Sequence, residues 1–239
     1  MLGSAGSLIF DALCLLGARL IALALQGRKL PELWIGLFFM LTSPGAWLML
    51  RALELRGHDT AAHPMAVAGL SLIGLGTVPV YVFTCTVFRA GERWALGLAV
   101  AGSLLVLWGC FAQLGGFSLH IDASRPRLEL VLGRLLCFGW ATAESLRMYF
   151  LMRRRVAVGL ADPVLSNRFL LFALWSAAMG LLPGLHALDR LLGGATGYLR
   201  LLAVFPKGIG VCMFVAIFLN FFPPRAYLRW LRRGAEADA

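Results

Sequence analysis

Arg19, Glu144, Arg147 and Lys207 fall inside largely apolar stretches, and Asp11, Arg134 and Arg147 lie nearer to the stretch ends, where a side chain can snorkel. A charge in hydrocarbon costs several kcal/mol unless it is paired or reaches water, so such residues mark ion pairs, proton relays or substrate contacts. A carboxylate in an apolar setting is suited to take up and release a proton, which makes Glu144 a candidate proton acceptor in a transport cycle. Arg19 and Glu144 fall at similar depth in their helices, so an ion pair between them is expected. Glu144 and Arg147 stand one helical turn apart and can pair with each other instead. Lys207 is suited to an anionic headgroup or substrate, or to snorkelling outward.

A second constellation is His58, His63, His120 and His186, with Asp122 close to His120 in sequence. Three histidines and an aspartate can hold zinc, and a zinc-bound water can hydrolyse a lipid. Metal-binding histidines on a helix recur one turn apart, and none of these does, so they stay weak candidates and no metal or cofactor is assigned. Lys207 falls in the seventh apolar stretch, where retinal proteins carry a Schiff-base lysine. Ala203 and the Thr84 and Thr86 positions offer no carboxylate counter-ion, and no chromophore is expected. There is no Gly-x-Ser-x-Gly, His-Glu-x-x-His or glycine-rich phosphate loop. Cys14, Cys85, Cys110, Cys137 and Cys212 form no CxxC pair and read as small apolar packers.

The elements that must position these residues are membrane helices. The chain is 60% apolar and 14% charged, well outside the balance of a soluble domain. The excess is spread over stretches long enough to cross ~30 Å of hydrocarbon. Seven spans are expected, at 8–26, 33–52, 64–88, 94–116, 130–151, 169–188 and 200–222, in an all-α bundle. Gly27-Arg28-Lys29-Leu30-Pro31, Arg89-Ala90-Gly91-Glu92-Arg93, Ser124-Arg125-Pro126-Arg127 and Ala161-Asp162-Pro163 separate them. Asp11 and Arg19 interrupt the first apolar stretch, which reads as an uncleaved span.

Prolines fall within the second, third, sixth and seventh spans, as Pro44, Pro79, Pro183 and Pro206. Each removes a backbone hydrogen bond and kinks its helix. Pro79-x5-Cys85 matches Pro206-x5-Cys212, which fits a 3+1+3 build: parallel repeats at 8–88 and 130–222 around a linker helix at 94–116. Parallel repeats are one architecture of secondary transporters.

The formal charge of +10 does not point to nucleic acid, because the basic residues sit at span ends rather than in a stripe interleaved with aromatics. Arg28, Lys29, Arg89, Arg93, Arg153 to Arg155, Arg168 and the tail arginines outnumber the lysines and arginines of the alternate loops. That bias puts the N-terminus outside and the C-terminus in the cytoplasm, in the cell membrane. Residues 1–222 form the membrane domain. Residues 223–239 form a basic amphipathic tail, stopped from the last span by Pro223-Pro224 and suited to anionic headgroups at the cytoplasmic face. Which protein partner it has is left open. The functional expectation is a small-solute or lipid transporter with a midplane site between the two repeats. The alternatives are a seven-helix sensor or accessory subunit acting through a partner, and a metal-dependent hydrolase with an outer-face His/Asp site.

Overall fold

The computed structural model describes residues 3–27, 30–55, 62–114, 128–191 and 212–237, and every regular element in them is an α-helix. In chain order these are α1 (Gly3–Gly27), α2 (Leu30–Glu54), α3 (Ala62–Phe88), α4 (Arg93–Gln113), α5 (Leu128–Ala157), α6 (Pro163–Leu191), α7 (Cys212–Phe221) and α8 (Arg225–Ala237). Five are long and apolar enough to cross a membrane: Phe10–Gly27, Leu30–Ala52, His63–Phe88, Arg93–Gln113 and Pro163–Leu185. Where the sequence reading expects seven spans, α5 and α7 do not join these five. α5 carries Glu129, Arg134, Glu144, Arg147 and a terminal run of arginines, which lower its hydropathy. α7 is apolar but short over its described residues. The chain is an all-helical protein with the pattern of a multi-pass membrane protein.

Two compact units divide the chain, Met1–Cys137 and Phe138–Ala239, so that α5 begins in the first and continues in the second. In the first unit α2 packs on α1 and on α3, and α3 packs on α4. Glycines set the spacing. A Cβ on Gly17 would lie 2.9 Å from the Gly36 carbonyl oxygen, and one on Gly36 would lie 2.9 Å from that of Gly17. Gly45 and Gly69 repeat the arrangement between α2 and α3, at 2.8 and 2.7 Å. Close approach of this kind is how helices associate in lipid, where burying apolar surface gains little over leaving it in hydrocarbon.

α4 shows the same logic from its other side. Its buried residues are mostly small: Ala95, Ala99, Gly102, Gly109, Cys110 and Ala112. Its large side chains point outward, with Leu96, Val100, Leu104, Trp108 and Phe111 exposed at helical spacing. An apolar stripe of that length is a liability in water and an ordinary lipid contact in a membrane. Opposite Gly102, which has no room for a Cβ against the ring, lies Tyr81 of α3. Tyr81 is fully buried and donates its hydroxyl to the Gly133 carbonyl of α5 at 2.7 Å.

Helix ends carry the interfacial chemistry. At the α3–α4 turn, closed by Gly91 at φ 85°, Arg89 pairs with Glu92 at 3.1 Å and lies over the Trp94 ring at 5.1 Å. The Trp94 indole N–H donates to the Glu92 carboxylate. Near the end of α2, Arg51 pairs with Glu54 at 2.8 Å and lies over Trp47 at 5.6 Å. Tryptophan beside arginine is suited to the headgroup layer, where one end of each side chain is apolar and the other wet.

In the second unit, Trp175 of α6 is fully buried against Phe138 of α5, edge to face with centroids 6.1 Å apart, and against Phe172 at 5.1 Å. Thr142 and Ser176 share a hydrogen bond at 2.9 Å across the same two helices. α5 ends in a Schellman closure: the Leu160 amide donates to the Arg155 carbonyl at 2.8 Å and the Gly159 amide to that of Val156 at 2.9 Å, with Gly159 at φ 73°. Asp162 then caps α6, its carboxylate accepting from the Val164 amide at 2.9 Å, and Pro163 takes the first helical position. Asp162→Ala is expected to destabilise this helix start by about 1 kcal/mol, read as faster hydrogen exchange at the Val164 amide with the α3 amides unchanged.

Candidate functional site

α5 is the helix on which charge and burial coincide. Leu130 and Cys137 are buried on its part in the first unit, which also carries Arg134, and Ala141, Glu144 and Ser145 are buried on its part in the second.

Glu144 lies in the second unit and is only 6% exposed. Arg147 donates through Nη1 to its Oε2 at 3.3 Å, and the arginine side chain itself is 51% exposed. The pair is therefore a buried carboxylate tethered to a half-solvated guanidinium. Its partial screening keeps the contribution to stability small. Arg19 is exposed on α1, in the other unit. Arg147, a turn away on its own helix, is one partner of Glu144.

Arg134 lies in the first unit. Its Nε is buried and has no hydrogen-bond partner among the described residues. Two thiols lie within its electrostatic reach, those of Cys110 on α4 and Cys137 one turn on. Both thiols are engaged with α3: Cys110 donates to the Ser71 carbonyl and Cys137 to that of Thr77, each at 3.6 Å. Gly74 makes this meeting of three helices tight, since a Cβ there would fall 2.5 Å from the Cys110 sulfur and 2.7 Å from Leu130 Cδ1. Ser71 and Thr77 lie near the middle of the His63–Phe88 span. The sequence reading puts Arg134 close to a span end, where a long side chain snorkels. In the structure the first part of α5 packs against the middle of α3, where Cys137 meets the Thr77 carbonyl.

Most other buried polar groups are committed locally. The hydroxyls of Thr42, Thr77, Thr84 and Ser145 each donate to the carbonyl four residues earlier, a bond that satisfies the group within its own helix, and of the bonded pair Thr142 and Ser176 the hydroxyl that accepts is free to donate to its own such carbonyl. The hydroxyls of Ser43 and Ser71 and the side-chain oxygen of Gln113 have no partner among the described residues. Pro44, Pro79 and Pro183 lie inside α2, α3 and α6, and each leaves a carbonyl without its helical donor.

Of the other candidates, Lys207 and Pro206 lie outside the described residues, as do His58, His120 and Asp122. His186 belongs to α6, but its side chain is outside what is described. His63 is exposed in the first turn of α3. Among the described residues no three His, Cys, Asp or Glu side chains gather as a metal site.

The fold and these positions define a class, the multi-pass helical membrane protein. The chain matches no family model, no curated protein and no solved structure.

Proposed function

We propose that the chain is a membrane transporter for a small solute, with α5 as the helix that lines its path. One observation carries the reading. α5 buries the acid Glu144, in a chain whose other long helices are apolar. Buried ionisable groups inside a membrane bundle face a pathway or a partner far more often than lipid. In this reading α5 and α7 complete seven spans, the N-terminus lies outside, and Glu144 exchanges protons as the path opens to one side and then the other.

The cytoplasmic end is the surface for anionic lipid. Arg153, Arg154, Arg155 and Arg168 are exposed around the α5–α6 turn, and Arg225, Arg229 and Arg232 are exposed on α8. α8 packs on α6, and Asn167 donates from Nδ2 to the Tyr227 hydroxyl at 2.8 Å. That bond brings the α8 arginines beside those of the turn. The exposed ring of Trp230 stacks on Tyr227 with centroids 5.9 Å apart. Basic residues beside an exposed indole suit the headgroup layer of an anionic leaflet.

The test uses single cysteines at Ala141 and Ser145, the neighbours of Glu144 on the buried stripe of α5, in a cysteine-free background in sealed vesicles. A hydrated path predicts reaction with an impermeant thiol reagent from one side at both positions, and a changed rate in Glu144→Gln. If both positions stay unreactive from both sides at every pH, the interior is closed and the accessory-subunit reading replaces transport.

A further inference from the structure

We infer that α8, the α5–α6 turn and the start of α6 form one docking surface for the headgroup phosphates of an anionic leaflet, assembled by the Asn167–Tyr227 bond. The inference deepens the lipid reading of this end of the protein, on which it rests, by making lipid the group that completes the α6–α8 contact.

The argument begins with like charges. Arg153, Arg154 and Arg155 stand near the end of α5 and Arg168 in the second turn of α6, all of them exposed. Arg225, Arg229 and Arg232 are exposed on α8. α8 packs on α6, and Asn167, the neighbour of Arg168, donates to the Tyr227 hydroxyl at 2.8 Å. Docking therefore gathers both sets of arginines at one end of the second unit. The acids there are few. The Asp162 carboxylate is engaged with the Val164 amide as the cap of α6, and Glu236 falls in the last turn of α8. Gathered cations repel, which acts against the contact that gathers them. A single neutral hydrogen bond offsets that by only about fivefold, so anions between the arginines are what favour the docked helix.

The apolar side chains say which anions. Trp230 is 67% exposed on α8, and Val158 and Leu160 are 66% and 78% exposed on the turn. Exposed aliphatic and indole groups gain nothing from a dissolved anion. At the headgroup boundary they enter the acyl layer while arginine forks hold phosphate oxygens. The Tyr227 hydroxyl accepts from Asn167, which leaves its own hydrogen for a phosphate oxygen. The turn is held on both sides, by the closure of α5 at Gly159 and by the Asp162 cap. It therefore presents Val158 and Leu160 with little further cost in ordering.

The test follows amide hydrogen exchange of α8 in the full-length protein, in vesicles of phosphatidylcholine with and without phosphatidylglycerol, read against the α3 amides. Phosphatidylglycerol is expected to slow α8 exchange severalfold or more. Potassium chloride is expected to speed exchange in phosphatidylglycerol, where it screens the lipid attraction. It is expected to slow exchange in phosphatidylcholine, where it screens the repulsion among the arginines. Inorganic phosphate in phosphatidylcholine should do no more than chloride at matched ionic strength. If phosphate replaces phosphatidylglycerol in full, the anion is a free solute and the lipid assignment is overturned.

Tyr227→Phe keeps the ring and loses the bond. It is expected to speed α8 exchange in phosphatidylglycerol about fivefold, with the α3 amides unchanged. Replacing Arg153, Arg154 and Arg155 by glutamine is expected to slow α8 exchange in phosphatidylcholine, because the mutation relieves the repulsion that lipid otherwise relieves. The salt series on the unaltered protein tests the same repulsion even where that variant does not fold. Equal protection by phosphatidylglycerol in wild type and Tyr227→Phe means that α8 meets the leaflet by itself, which overturns the docking inference and keeps the lipid reading. The same salt response in both lipids also overturns it. Exchange in α8 that is indifferent to phosphatidylglycerol overturns the inference and the lipid reading together. The transport reading is tested separately, at Ala141 and Ser145.

Discussion

Gly69→Leu is expected to prevent α2 and α3 from docking, with a loss of about 3 kcal/mol or more. The reason is what the new side chain would meet. Its Cβ would sit 2.7 Å from the Gly45 carbonyl oxygen and 3.0 Å from the Met49 amide nitrogen. These are backbone atoms of a helix, and no rotamer change moves them. Gly45→Leu meets the reciprocal obstacle, with the Gly69 carbonyl at 2.8 Å and the Ile73 amide at 3.0 Å. The helices must separate along their whole contact, and the dispersion energy lost there is not returned by a hydrophobic gain, since lipid is as apolar as the leucine. Gly97→Leu on α4 is the matched control, because nothing lies within 4 Å of a Cβ there. Thermal unfolding in detergent should fall by roughly 6–12 °C for Gly69→Leu and hardly at all for Gly97→Leu. Equal losses at the two positions would mean that the α2–α3 spacing is not set by these glycines.

The positions of the helices are legible because membrane helices leave coarse marks: apolar runs of spanning length, then charged or proline-bearing breaks. Arg89 to Arg93 forms the tight turn that its composition implies, and Asp162-Pro163 begins α6 as an N-cap and first-turn proline should. The ends of helices are less legible. α5 continues through Arg153, Arg154 and Arg155 to Ala157, because an arginine-rich turn is as helical as an apolar one and only hydropathy changes at the membrane surface. The tail helix is legible in its spacing, with Arg225, Arg229 and Arg232 exposed while Tyr227, Leu228 and Leu231 are half-buried.

The charge site is legible only in part, for a geometric reason. Sequence depth is counted along one helix, whereas burial depends on where its neighbours stand. Glu144 and Arg147 pair as their one-turn spacing allows. Distance from the start of an apolar run says nothing about how far α5 is shifted along α3. Only the contacts of Cys110 with Ser71 and of Cys137 with Thr77 reveal which part of α3 stands beside α4 and the start of α5. A packing glycine such as Gly74 is likewise silent in sequence, since its role is to leave room for Cys110 and Leu130.

The second unit offers the sharpest contrast in side-chain cost. Trp175→Ala removes a fully buried indole that touches Phe138 edge to face and Phe172 at 5.1 Å. In water a buried tryptophan truncated to alanine costs about 3–5 kcal/mol. In a membrane part of that transfer cost is absent, since the unfolded reference already holds the indole among lipid tails. The cavity and the lost ring contacts remain, and about 2–3 kcal/mol is expected. Trp108→Ala removes the same indole from a lipid-facing position on α4, opens no cavity, and should cost well under about 1 kcal/mol. Hydrogen exchange on the intact protein distinguishes a local from a global effect. Because Trp175 packs within the second unit, faster exchange is expected in α6 and in α5 beyond Phe138, with the α2 and α3 amides protected as before. Uniform acceleration through α2 and α3 would show instead that the two units unfold as one, and that the continuous backbone of α5 couples them.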